Sequence, residues 1–236
     1  LRDPDFTEIP MNQIKTELGS YVALYEINMD KNDAEHISIP ITDKLTKRWG
    51  ITADQLYQDT IKVQAAWNQP LLADLLEMGT YLNGGTRPDN LLSADKIDDT
   101  GLYVLTNYKL YNGAAMIAHD EMAQKIGDLL QMDYYILPST VHELLVYPDN
   151  GVISITQLQE MVKSVNATDV LPKDRLSDKV LFYNQQERRL ELATEREEYF
   201  EDKTEDTQEK KELAEGKDKS ESEKKEDKSL KFSIRL

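Results

Sequence analysis

Apolar and polar positions along the chain change their period several times, and each change predicts an element. Residues 21–29 gather Tyr21, Val22, Leu24, Tyr25 and Ile27 in a run rich in β-branched and aromatic side chains, closed by the polar turn 30–33. Such a run predicts a strand. Residues 36–39 predict a second, shorter strand, after which Pro40 leads into a helix of one to two turns that carries Leu45 and Trp49 and stops at Gly50. Together they predict a hairpin capped by a helix.

Thr52 followed three residues later by Gln55 is a capping box, and Leu56, Thr60, Val63 and Trp67 then recur at helical spacing. Asn68, Gln69 and Pro70 interrupt the helix. Leu71, Leu72, Leu75 and Leu76 predict a further helical face ending near Gly79, and residues 83–101 read as a long loop with turn signals at Asn83-Gly84-Gly85 and Arg87-Pro88-Asp89. A strand is predicted over 102–107, a turn at Asn112-Gly113, and a helix over 120–131 with Met122, Ile126, Leu129 and Leu130 on its inner side. Residues 133–138 and 142–148 predict two more strands, paired as a hairpin or joined as one bent strand. Thr156 and Gln159 make a second capping box for a helix facing inward through Leu158, Met161, Val162 and Val165, and residues 180–183 and 189–192 predict a closing hairpin. No repeat recurs at a fixed period.

This order of elements predicts an α+β domain, a mixed or antiparallel sheet with three to four packed helices, over residues 1–193. Composition changes sharply after it. Between Thr194 and Ser229 stand 15 acidic and 9 basic residues, with Tyr199, Phe200 and Leu213 as the only large apolar side chains. A segment like that buries too little to offset its ordering entropy, so 194–236 is expected to be a disordered Glu/Lys-rich tail. The last seven residues, 230–236, alternate apolar and polar, the period of a half-buried strand or a recognition peptide.

Charge then excludes several functions. The formal net charge is −16, of which −12 belongs to residues 1–193, so a phosphate backbone is repelled and direct nucleic-acid binding is not expected. With no cysteine, there is no disulfide framework, thiol nucleophile, zinc ribbon or thiolate-held cluster, and no cofactor is implied. No stretch approaches the ~20 apolar residues of a membrane span, and the first ten residues show no signal peptide, so the expectation is a cytoplasmic protein without a membrane partner. The chain opens on Leu1 rather than methionine, which marks it as a possible fragment.

Candidate chemistry is sparse. Ser139, His142 and Glu143 stand at a spacing that suggests a nucleophile, a base and an orienting carboxylate, the combination an acyl-transfer hydrolase needs. On a strand, however, His142 and Glu143 point to opposite faces, and Pro138-Ser139-Thr140 also reads as an ordinary turn. In that reading His142 is a packed or hydrogen-bonded residue at a strand end. His142-Glu143 lacks the second histidine of a zinc-protease helix, since Val146 occupies that position. Asp95, Asp98 and Asp99 lack the glycine and terminal glutamate of a calcium loop. Asn166-Ala167-Thr168 fits a glycosylation acceptor, Asn83-Gly84-Gly85-Thr86 lacks the lysine of a phosphate loop, and Trp49 and Trp67 read as core.

Three stretches carry a family resemblance: residues 39–50 with Leu45 and Trp49; Tyr103-Val104-Leu105-Thr106-Asn107 with Asn112-Gly113-Ala114-Ala115; and Tyr135-Ile136-Leu137-Pro138-Ser139 with His142-Glu143. Residues 165–168 and 176–178 extend it, to about 39–192. In order and spacing the chain resembles an uncharacterised bacterial domain-of-unknown-function family found mostly in gut bacteria, family 5688. The resemblance implies no substrate, cofactor or catalytic residue. The expectation is therefore a binding or interaction module with an unknown protein partner. The alternatives are a hydrolase using Ser139 and His142, and an acidic inhibitor that imitates nucleic acid.

Overall fold

The structure, a computed structural model, describes residues 1–5, 9–29, 37–119, 121–138 and 140–194, with the side chains of 65–67 left out. Residues Leu1–Ala193 form one compact unit. The expected tail, the recognition-like end 230–236, His36 and Ser139 lie outside the described residues.

The unit is built on a six-stranded, wholly antiparallel sheet. Its strands are β5 (Pro70–Asp74), β6 (Tyr103–Asn107), β7 (Tyr134–Leu137), β8 (Leu144–Pro148), β9 (Leu181–Asn184) and β10 (Arg189–Leu192), in the spatial order β10-β9-β7-β8-β6-β5. Both faces are apolar, because successive residues on a strand point to opposite sides. Leu72, Leu105, Ile136, Val146 and Leu181 face one side, where α4 (Met122–Leu130) packs through Met122, Ile126, Leu129 and Leu130. Leu71, Ala73 and Val104 face the other and meet Met78 of α3 (Leu75–Leu82), while Tyr135, Leu137 and Phe182 meet Leu158 and Val162 of α5 (Ile155–Thr168). The result is a sheet between two helical layers, an α+β fold as expected.

The sheet's β5 edge is closed by one side chain. Asn90 accepts the Leu72 N–H (3.2 Å) and donates to the Pro70 carbonyl (2.9 Å), the two bonds a neighbouring strand would make.

Before the sheet comes a smaller layer. β1 (Lys15–Leu18) pairs with β2 (Tyr21–Leu24), β3 (Glu26–Asn28) pairs with β4 (Ser38–Pro40), and α1 (Asp43–Trp49) and α2 (Ala53–Trp67) cover them. Tyr25, Ile41 and Leu56 form its core. It is tied to the sheet unit by Asp3, fully buried, which accepts from the Ser177 hydroxyl (2.5 Å) and the Lys179 ammonium (3.2 Å), and by the Tyr57 hydroxyl, which donates to the Ala118 carbonyl (2.7 Å).

Several elements differ from expectation for physical reasons. The single strand expected over 21–29 is two, β2 and β3, which break at Tyr25 and take different partners. The leucine run after Pro70 divides between a strand and a helix, because the Asp74 carboxylate accepts the N–H groups of Leu76 and Glu77 and starts α3 there. Gly79 sits inside α3 rather than at its end. The capping box of α5 is Ser154 with Gln157, not Thr156 with Gln159. On α2 the buried side carries Leu56, and Val63 stands 58% exposed. On α5, Met161 and Val165 likewise face outward, whereas Asn166 is buried. Trp49 is exposed at the end of α1 rather than in the core.

Candidate functional site

The end of the sheet where β6 and β7 finish and β8 begins gathers three loops, and it brings together most of the residues that carried the family resemblance. Asn107 closes β6 with its side chain fully buried; it accepts from the Lys109 N–H (3.0 Å) and donates to the Tyr111 carbonyl (2.8 Å). A turn built on one asparagine side chain accommodates Leu110 (φ 55°) and Asn112 (φ 53°) in the left-handed region, which costs a side-chain-bearing residue energy unless its surroundings impose it. Gly113 follows in close quarters. A Cβ there would lie 2.2 Å from the Thr106 hydroxyl and 2.4 Å from the His142 carbonyl, so no larger residue fits without moving backbone.

The second loop is the turn before β8. The Thr140 hydroxyl accepts the N–H groups of His142 (3.0 Å) and Glu143 (3.2 Å) and donates to the Glu143 carboxylate (2.7 Å). This local bonding pattern is why 140–143 forms a turn instead of extending β8. The Thr106 hydroxyl donates to the His142 carbonyl (2.8 Å), which anchors the turn to β6.

The third loop, 169–178, supplies Asp174. The Val141 N–H donates to its carbonyl (2.8 Å), and its carboxylate lies 3.4 Å from His142 Nε2. On the other side of the ring, the Asn112 N–H donates to His142 Nδ1 (3.2 Å), and Tyr111 stacks at a tilt with ring centroids 5.3 Å apart. An imidazole that accepts at Nδ1 carries its proton on Nε2, here facing Asp174. Both ring nitrogens are thereby engaged. Beyond Asp174 the loop is pinned by Arg175, which donates to both oxygens of Asp178 (2.9 and 2.8 Å), and by the Asn166 amide, which donates to the Ser177 carbonyl (2.8 Å) and the Asp178 carboxylate (2.7 Å). Asn166 is 3% exposed, so the glycosylation pattern it heads is closed to modification in the folded chain.

His142 and Glu143 therefore sit together, both tied to Thr140, while Ser139 lies outside the described residues. Asp174, Tyr111 and Asn107 went unnoticed as site residues. Asn107 carried a signal, an asparagine ending a strand two residues before a lysine and four before a tyrosine; Asp174 carried none, being 32 residues away from His142 in the chain. His119 stands elsewhere, with Nε2 3.1 Å from Gln64 Oε1 at the contact with α2. Asp98 accepts both the N–H and the hydroxyl of Thr100, which hold its carboxyl below the usual carboxylate range, in an exposed loop. Among the described residues no group of three or more His, Cys, Asp or Glu side chains gathers closely enough to hold a metal ion, and no helix is long and apolar enough to cross a membrane.

A sandwich of this kind, with polar loops at one sheet end, defines an α+β domain without declaring an activity. The model of the family of unknown function DUF5688 matches residues 16–185, from β1 to the turn after β9, and the chain belongs to that family. No curated protein and no solved structure matches it.

Proposed function

We propose that the domain is a non-enzymatic interaction module that binds a protein partner in the bacterial cytoplasm. The observation that carries this reading is the state of His142. A general base needs a free lone pair within reach of its nucleophile, yet Nδ1 already holds the Asn112 N–H and Nε2 faces Asp174. The ring acts as a strut between two loops.

The hydrolase reading with Ser139 and His142 requires that Nδ1 give up Asn112, and it makes a distinct prediction. A panel of ester, amide and phosphoester substrates, run with the full chain and with Ser139→Ala and His142→Ala, is expected to show no turnover above buffer. Turnover that Ser139→Ala abolishes would establish the hydrolase and sink the interaction reading. An inhibitor imitating nucleic acid would instead compete with DNA or RNA for a basic groove, which a displacement assay on a captured partner detects.

A further inference from the structure

Three asparagines, Asn83, Asn112 and Asn150, are followed by glycine, and that pair has a chemistry of its own. The nitrogen of the following peptide can attack the side-chain Cγ, and glycine leaves the approach unhindered because it has no Cβ. The fold blocks this reaction at two of the three. At the end of α3 the Asn83 amide nitrogen donates to the Gly79 carbonyl (2.8 Å) and the Gly84 N–H donates to the Tyr81 carbonyl (3.0 Å), so both reacting nitrogens are tied down. Asn112 is clamped through its N–H to His142 Nδ1 (3.2 Å), and Gly113 is buried against Thr106 and the His142 carbonyl, which leaves its peptide no room to turn.

Asn150 is the reverse case. It is exposed in the turn after β8, at the sheet end opposite the His142 loops. A Cβ on Gly151 would meet nothing within 4 Å, and the Gly151 N–H meets no acceptor among the described residues. The Asn150 amide nitrogen reaches the Asp99 carbonyl only at 3.5 Å. Its side-chain oxygen, by contrast, accepts from the Tyr147 hydroxyl (3.0 Å) and from the Val152 N–H (3.1 Å). The bond to Val152 folds the side chain over the peptide between Asn150 and Gly151, whose nitrogen is the nucleophile. Both donors draw electron density from Cγ and stabilise the negative charge that gathers on the oxygen during attack.

We propose that Asn150-Gly151 is a self-modifying site, at which the chain deamidates itself through a cyclic imide with water as the co-reactant. The Gly151 nitrogen bonds to Cγ of Asn150, its proton passes through solvent to the departing amide nitrogen, and ammonia leaves. Water then opens the imide at either carbonyl, giving aspartate or isoaspartate. Both products place a carboxylate at position 150, and isoaspartate also lengthens the main chain by one carbon just before the Ser154 cap of α5. The change is one-way and set by time.

The test incubates the full chain, folded and in urea, at mildly alkaline pH in water enriched in heavy oxygen, and follows the three Asn-Gly peptides by mass spectrometry. In urea all three pairs convert at comparable rates, since only local sequence acts there. In the folded chain Asn150 is expected to keep or exceed its rate in urea and to take up heavy oxygen. Asn83 and Asn112 are expected to slow about 10-fold or more on folding, because hydrogen bonds must break before attack. Tyr147→Phe is expected to slow Asn150 about 5-fold in the folded chain, the worth of one hydrogen bond to the charged oxygen, and to leave the rate in urea unchanged. An Asn150 that reacts more slowly folded than in urea, an Asn83 or Asn112 that keeps pace with it in the folded chain, or a Tyr147→Phe chain that converts at the parental folded rate overturns the inference.

Discussion

The six-stranded sheet and the β3–β4 ribbon are made by the same rule and end in opposite states. Both are antiparallel, and in both the side chains alternate between two faces. In the sheet, α4 covers one face and α3 with α5 the other, so Leu105, Ile136 and Phe182 reach zero exposure. In the ribbon, Tyr25 and Ile41 are buried at the base, while Ile27 and Ile39 on the same face stay 36% and 44% exposed. The difference teaches that alternation decides which residues share a face, while the layers placed against that face decide whether burial follows.

The comparison breaks most easily at the sheet. Leu105→Ala, at the centre of β6, is expected to lower unfolding stability by about 2–5 kcal/mol in urea titration, since transfer and cavity terms add at a fully packed site. An effect under about 1 kcal/mol would mean that the sheet is less tightly covered than described. Gly113→Ala should cost about 3 kcal/mol, the upper end of overpacking, because its methyl meets the His142 carbonyl at 2.4 Å. Asn90→Ala leaves the buried Leu72 N–H unbonded and should cost about 1–2 kcal/mol, with faster hydrogen exchange at Leu72 as its local signature.

High pH sharpens the contrast from another side. Burial raises the Tyr134 phenol well above its ordinary value, and burial also raises Tyr21. Folding thus favours the neutral phenols, so their contribution is present below about pH 10 and is lost as pH rises toward the folded-state values. The urea midpoint should fall as pH is raised past 10, and Tyr134→Phe should flatten that fall. The ribbon comes last: Ile27→Ser or Ile39→Ser alone should cost about 1 kcal/mol, less than Leu105→Ala, because these side chains are 36% and 44% exposed. A loss as large as that of Leu105→Ala would show that the ribbon is packed as firmly as the sheet.

Much of the sheet was legible beforehand. The runs 102–107, 133–138 and 142–148 are rich in Val, Ile, Leu and Tyr between turn signals, and they form β6, β7 and β8, the last two paired as a hairpin rather than joined as one bent strand. The helix over 120–131 was equally plain, because Met122, Ile126, Leu129 and Leu130 fall on one side at helical spacing, and all four are buried. The run after Pro70 predicts a helix throughout, yet four leucines in six residues suit a helix or a buried strand alike, and Asp74, as a cap, divides them. β1 escaped notice since Lys15, Thr16 and Glu17 carry no apolar pattern, and pairing with β2 alone makes it a strand.

At the candidate site, His142 could be picked out as a hydrogen-bonded residue at a strand end, but its partners could not. Asn112 and Asp174 come from loops on either side of it in the chain, and only the antiparallel order β7-β8-β6 brings those loops to one sheet end.

Periods, caps and turn residues act over a few positions, so the sequence by itself determined the α+β class, most of the elements, the closing hairpin and the chain's strongly acidic character. The tertiary structure alone decided which helix covers which face, that His142 is held between Asn112 and Asp174, and that Ile27 and Ile39 stay partly exposed. Those outcomes depend on contacts between residues far apart in the chain, whose energies are set by packing and shared hydrogen bonds rather than by any local pattern.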